Sequence, residues 1–253
     1  MNVRRSRGII LAVGDHGESD KIVTLYSPDL GRATAIAKGA KRSKKRFVNK
    51  LEEFTCLRIF YRRGKRGGLI FLGEAELENA FLSLRRHYDR FVVATMICEL
   101  INLFTGEQDP DPRLYSLLAW SFRFLDRGNS PLRAAIFFHL KILSLTGYQP
   151  DLFRCRSCGE PVGQSRQYGF QAGSGSLFCA GCRRQKYPSS QSLSLRTVKI
   201  LQRIQSLEPP MLERLHFDAA TIRETLAMLH RYSRHLLQRE IRSHRLVDAL
   251  QRL

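Results

Sequence analysis

Up to about residue 80 the chain reads as short apolar runs broken by turn signals. Val3 to Val13, Lys21 to Ser27, Arg32 to Ala37, Phe54 to Arg63 and Leu69 to Ala75 are rich in Val, Ile, Phe, Tyr or Thr. Gly14-Asp15, Pro28-Asp29, Gly31 and Gly67-Gly68 punctuate them, which predicts five β-strands. Phe54 to Tyr61 is interrupted only by Thr55 and Arg58, a run that predicts a strand buried on both faces. Five short strands with one long basic connection after the third suit a small closed barrel such as an OB-fold. An SH3-like barrel is the rival, and strand counting does not separate the two.

From about residue 83 the period becomes helical. Val92, Met96, Leu100 and Leu103 recur at spacings of three and four. Asp109 to Pro112 and Ser130-Pro131 supply two further helix starts, the second with Ser at the N-cap and Pro at the first helical position. That helix is expected to stop near Gly147. Val198, Leu201 and Ile204 mark a later helix, and Ile222, Leu226, Leu229 and Leu236 a longer one. The expectation is an α+β protein: a barrel over residues 1–80, then a helical domain over 81–253. A cysteine-bearing module is inserted in the latter at about 151–190.

Charge narrows the partner. Lys and Arg number 42 against 23 acids, a net of +19, unevenly placed. Residues 1–80 hold 17 basic and 9 acidic side chains, residues 81–150 only 8 and 6. Such localisation suits a surface for a polyanion better than general solubilisation. No apolar run approaches the roughly 20 residues of a membrane span. The basic Met1 to Arg7 stretch is followed by too short an apolar segment for a signal peptide, so a cytoplasmic protein without a membrane partner is expected.

Cys155, Cys158, Cys179 and Cys182 form two C-x2-C pairs. Each such turn aims two thiolates at one point, and two pairs can close a tetrahedral Zn²⁺ site. Four sulfur ligands fill the coordination sphere, so the expected role is one structural ion per chain and no catalytic metal. Cys56, in a strand, and Cys98, in a helix, read as small core residues.

Lys38, Lys41, Arg42, Lys44, Lys45, Arg46 and Lys50 place seven cations and no acid within 13 residues. Arg62, Arg63, Lys65 and Arg66 form a second cluster at an expected hairpin tip. Both lie in connections, where a barrel scaffold presents binding groups. Cationic loops beside aromatics are what a nucleic-acid-binding barrel needs, with Tyr26, Phe47, Phe60, Tyr61 and Phe71 as candidate stacking residues, most of them core. Charge does not decide between single strand and duplex. Catalysis has no comparable support: P-loop, H-E-x-x-H and G-x-S-x-G patterns are all missing. The seven histidines are scattered along the chain and read as ordinary surface or core residues.

Taken in order, these parts resemble the RecO family. The resemblance runs through Gly8 to Leu11, Gly17 to Leu25, Gly31, Ala37 to Ser43, Leu51 to Phe54, Leu145 to Pro150 before the first cysteine pair, and Arg242, Ser243 and Leu246. It implies an OB-fold, a helical domain and a zinc module in a bacterial, nucleoid-associated mediator without ATP hydrolysis. It further implies binding of single- and double-stranded DNA, strand annealing, and work with RecR. Contact with the acidic, Phe-ended tail of single-strand-binding protein is implied as well, and through it help in loading RecA. For that tail the candidate pocket is an apolar floor of Phe122, Phe124, Leu125, Phe137 and Phe138 rimmed by Arg123, Arg127 and Arg133. The alternative is an RNA-binding or ribosome-associated barrel and zinc-ribbon protein. A zinc-stabilised nuclease is a third reading, although its acids form no known metal motif.

Overall fold

The computed structural model describes residues 3–64 and 69–252. Five strands, β1 (Arg4–His16), β2 (Asp20–Ser27), β3 (Gly31–Ala37), β4 (Cys56–Arg63) and β5 (Ile70–Asn79), close into a barrel of order β1-β2-β3-β5-β4. β1 pairs with both β2 and β4, and β3 meets β5 in parallel. This is the OB-fold arrangement, and it removes the SH3-like rival.

The inward positions follow the period of two. Along β3, Ala33, Ala35 and Ala37 are buried while Arg32, Thr34 and Ile36 are half-buried, and the small alanines leave room for Leu25, Ile59 and Leu72. β4 departs from its expected burial on both faces. Ile59 and Tyr61 point inward, Arg58 and Arg62 are exposed, and Phe60 is half-buried. The apolar run is continuous because Phe60 belongs to the outer face.

The basic connection from β3 to β4 is tied down at several points. Phe47 and Leu51 enter the barrel core. The Gly39 amide donates to Asp20 (2.8 Å) and the Lys41 amide to the Ser19 carbonyl (2.9 Å). The Gly39 bond, with help from the Ser19 hydroxyl, holds the Asp20 carboxyl below its usual range.

Helices α1 (Leu82–Arg86), α2 (Tyr88–Phe104) and α3 (Pro112–Asp126) belong to the same compact unit as the barrel, which runs to Asn129. The unit therefore continues past residue 80, for a packing reason. The Phe54 ring sits edge-on to Phe91 (5.5 Å) and Phe122 (5.6 Å), and Arg85 donates to the Glu53 carbonyl. Asp111 caps α3 by accepting from the Arg113 amide, with Pro112 at the first helical position. Cys98 is buried in α2, and Cys56 is buried at the start of β4. Burial pushes both thiols up, as expected of core residues.

The second unit, residues 130–252, is built around α4 (Pro131–Leu145), most of whose side chains are buried. Ser130 occupies the N-cap of α4, but its side chain makes no capping bond. Around α4 are α6 (Leu195–Ser206), α7 (Pro209–Leu212), α8 (Ala219–Leu237) and α9 (His244–Leu250), preceded in sequence by the short α5 (Ala180–Lys186). The cysteine region contains a mixed sheet of order β6-β8-β7-β9: β6 (Asp151–Cys155), β7 (Gln167–Gln171), β8 (Ser176–Cys179) and β9 (Gln191–Ser194). The sheet thus extends to Ser194, and β9 leads directly into α6.

Candidate nucleic-acid interface and metal centre

The outer face of the barrel carries an open cleft of about 650 Å³ lined by Val3, Lys38, Arg46, Phe60, Tyr61, Arg62, Phe71, Leu72, Gly73 and Glu74. β4 and β5 create it. Their register sets Phe60 opposite Glu74 and Arg62 opposite Phe71. An irregularity between Phe60 and Tyr61 makes Gly73 an extra residue on β5, so the cleft floor there has no side chain. Of the five candidate aromatics, Tyr26, Phe47 and Tyr61 are buried, whereas Phe60 and Phe71 are half-buried in the cleft. Lys38 Nζ lies 5.3 Å from the Phe71 ring centroid.

The two cationic clusters divide by what each side chain already holds. Lys38, Lys44, Lys45, Arg62 and Arg63 are exposed. Lys41 pairs with Asp15 (3.0 Å) and donates to the Gly17 carbonyl, and Arg42 meets Glu18 at 4.0 Å. Arg46 spans the carbonyls of Lys38 (3.2 Å) and Gly73 (3.3 Å). Lys50 donates to those of Lys45, Arg46 and Ala75. Arg46 and Lys50 therefore act first as struts that hold the connection against β5. Lys65 and Arg66 lie outside the described residues.

The four cysteines converge. The sulfurs of Cys155, Cys158, Cys179 and Cys182 all lie within 4.8 Å of one another, with Cys158 and Cys179 3.9 Å apart. A tetrahedral centre with metal–sulfur bonds near 2.3 Å puts its sulfurs roughly 3.8 Å apart, so the set fits a metal ion. Cys155 ends β6, Cys179 ends β8, and Cys182 lies on α5, so strand ends and a helix start hold the ligands. Burial opposes ionisation of Cys155, yet the amides of Cys179, Cys158 and Ser157 converge on its sulfur and bring its pKa down to about 7. The Glu160 amide favours ionisation of Cys158, but the thiols of Cys155, Cys182 and Cys179 with residual burial outweigh it, to about 12. A bound cation displaces these shared protons.

The arginines considered for a partner tail fall in both units. Arg123 and Arg127, on and just after α3, are exposed. Arg133 of α4 is buried, donates to the Glu213 carbonyl (2.7 Å) and stacks over Phe137. Phe122, Phe124, Leu125, Phe137 and Phe138 are fully buried core residues and offer no surface floor. A cationic cleft that sequence reading did not find lies along the end of α8, lined by Ala172, Arg231, Arg234, His235, Gln238, Arg239 and Glu240. Its signal was present as basic residues at helical spacing, 231, 234 and 235.

Nor are the histidines all scattered in space. His139 of α4 and His230 of α8 both pack against His244 of α9, with ring centroids 5.4 Å and 4.2 Å away. His139 bonds to Ser233 (2.6 Å), and His230 faces Glu240 (3.3 Å) and Asp248 (3.9 Å).

The family model for Recombination protein O N terminal matches residues 1–81, and that for Recombination protein O C terminal matches residues 85–245. Relatives along the full length are named DNA repair protein RecO. That of Syntrophus aciditrophicus is 33% identical over 257 residues, covering 100% of this chain and 99% of the relative. That of Syntrophobacter fumaroxidans is 32% identical, covering 98% of each. That of Dehalococcoides mccartyi is 27% identical, over 98% of this chain and 96% of the relative.

Proposed function

The chain belongs to the RecO family, which gives it a role in DNA repair and recombination, and from that premise we propose that it is a non-catalytic mediator whose barrel cleft binds single-stranded DNA. The observation that carries this reading is the pairing, on one open face, of half-buried Phe60 and Phe71 with exposed Lys38 and Arg62. Aromatic faces stack on unpaired bases, and flanking cations track the backbone. Lys44, Lys45 and Arg63 extend the phosphate track. Lys41, Arg42, Arg46 and Lys50 shape the loop and add charge, and Lys65 and Arg66 belong to the same proposed set.

The finer activities follow the family. The protein binds duplex DNA as well, anneals complementary strands, works with RecR, and helps load RecA on strands coated by single-strand-binding protein. The acidic tail of that protein docks at an arginine surface. Arg123 and Arg127 are exposed candidates, Arg133 is engaged elsewhere, and the α8 cleft offers Arg231 and Arg239. The metal is one structural Zn²⁺ per chain, held by Cys155, Cys158, Cys179 and Cys182, and it supplies cohesion with no open position for chemistry. We place the functional division near residue 80, between the two family segments, although the packing unit is longer.

The test is competition among single-stranded DNA, duplex DNA and RNA at one fixed salt concentration, with binding read by fluorescence anisotropy. Single-stranded DNA should bind, and neutralising Lys44, Lys45 and Arg63 together should weaken all sequences about equally. It should also flatten the salt slope by about 0.7 for each phosphate that the variant no longer neutralises. A preference for RNA of the same sequence would favour the ribosome-associated alternative, and an unchanged slope would make these residues a solvated loop only.

A further inference from the structure

β5 presents three carboxylates to the outside, Glu74, Glu76 and Glu78, and two of them are neutralised. Glu76 pairs with Arg58 (3.0 Å), and Glu78 with Arg7 (3.1 Å) and Arg58 (3.4 Å). Among the described residues Glu74 has neither an ion pair nor a side-chain hydrogen bond, and it is exposed in the cleft that holds Phe60, Phe71, Lys38 and Arg62. It is the direct cross-strand partner of Phe60. Such partners share a face, with Cβ atoms about 4.5–5.5 Å apart, and Gly73 beside it leaves the space open.

A bare carboxylate in a phosphate-binding groove repels the backbone, so it weakens binding unless it recognises something else. A base stacked on Phe60 has its edge in the ring plane, within reach of a carboxylate on the neighbouring strand. A carboxylate only accepts hydrogen bonds. The exocyclic amino groups of cytosine and adenine, and guanine's N2 amino group, are donors, whereas thymine and uracil have no amino group and their one ring donor, N3–H, lies between two carbonyl oxygens that repel a carboxylate. We propose that Glu74 is a specificity-determining residue of the cleft, selecting amino-bearing bases over thymine and uracil through the strand partner Phe60 supplies. The inference rests on the reading of the cleft as a single-stranded nucleic-acid site.

The experiment compares oligodeoxycytidylate with oligodeoxythymidylate of equal length, about 16 nucleotides to fill one barrel. The two share pyrimidine size and flexibility and differ in the C4 substituent. Wild type, Glu74→Ala, Glu74→Gln and Phe60→Ala are titrated at fixed salt and neutral pH. Wild type should favour the cytosine strand roughly threefold to tenfold, the scale of one ordinary net hydrogen bond, because solvent in the open cleft screens the carboxylate. Glu74→Ala should tighten the thymine strand, by relief of repulsion, and bring the ratio near one. Glu74→Gln, which both donates and accepts, should also lower the ratio, and Phe60→Ala should weaken both strands. A ratio that is the same in wild type and both Glu74 variants, or a parallel tightening of both strands, overturns the inference while binding itself persists. Failure of wild type to bind either strand overturns the nucleic-acid reading, and the inference with it.

Discussion

The barrel closes around side chains contributed by every strand and by its own long connection, from Ile10 through Phe47 and Leu51 to Ala75. The sheet of the second unit is open, and its strands are only four or five residues long. Leu152, Tyr168, Phe170, Leu177 and Leu193 supply its buried face, but the two C-x2-C knuckles lie at strand ends, with Cys158 exposed. In one region burial of apolar surface fixes the backbone. In the other, the ends of short strands bring together four sulfurs that are placed to share one metal ion. The barrel core thus involves none of the charges of its cleft, whereas the second sheet adds to its buried face four thiols that one cation could bridge.

Removing the metal should break this contrast most visibly. Structural zinc contributes roughly 10–16 kcal/mol in small modules at neutral pH. Cys158→Ser, or a strong chelator, should unfold the cysteine sheet while the barrel keeps its hydrogen-exchange protection. Elemental analysis of protein purified without chelator should find one zinc per chain, and metal-free folded protein would refute the assignment.

A smaller effect in the barrel unit sharpens the comparison from the other side. Gly31 has φ +66°, and a Cβ there would collide with the Asp109 backbone. The segment before α3 docks on β3 at this point, where the Gln108 amide donates to the Arg32 carbonyl (2.8 Å). Gly31→Ala should destabilise the first unit by about 2–3 kcal/mol, from left-handed strain and disruption of this close approach. Denaturant melts should show this destabilisation with zinc content unchanged.

The smallest effect is a pH dependence confined to the second unit. Burial, followed by His244 and His230, holds the His139 pKa well below its usual value, and burial with His230 brings His244 down to about 3. Unfolded histidine takes up its proton near pH 6.5, and these two do so only far below. The stability they contribute is thus present above about pH 6.5 and is lost as pH falls toward 3, at about 1.4 kcal/mol per pH unit per histidine. The facing Glu240 and Asp248 interact with His230 at the rim. Melting of the second unit from about pH 7 to about pH 6 should show a loss of about 1.4 kcal/mol for the two together, and His244→Asn should remove one histidine's share.

Much of this architecture is legible from local pattern. The five barrel strands, the long helices and the paired cysteines each announce themselves within a few residues. What stays hidden depends on distant partners. β6 to β9 are too short to carry a period, and β7 and β9, which pair with each other, contain no cysteine to mark them. Phe60 reads as core until the Gly73 irregularity shows which way β4 faces. Glu74 gains meaning only once Glu76 and Glu78 have claimed their arginines. His139, His230 and His244 come from three helices, and no spacing along the chain joins them.

The parallel pairing of β3 with β5 has a consequence for synthesis. β1 must wait for β4, and β3 for β5, whose last residue is Asn79. Pairings this distant in sequence form late and slowly, so a ribosome-bound chain shorter than about 80 residues has only the β1–β2–β3 meander to fold. The cleft between β4 and β5 arises in the same step that shuts the barrel. A chain emerged short of Asn79 therefore cannot grip a strand through it, and the cations of the β3–β4 connection are translated before the surface they serve exists.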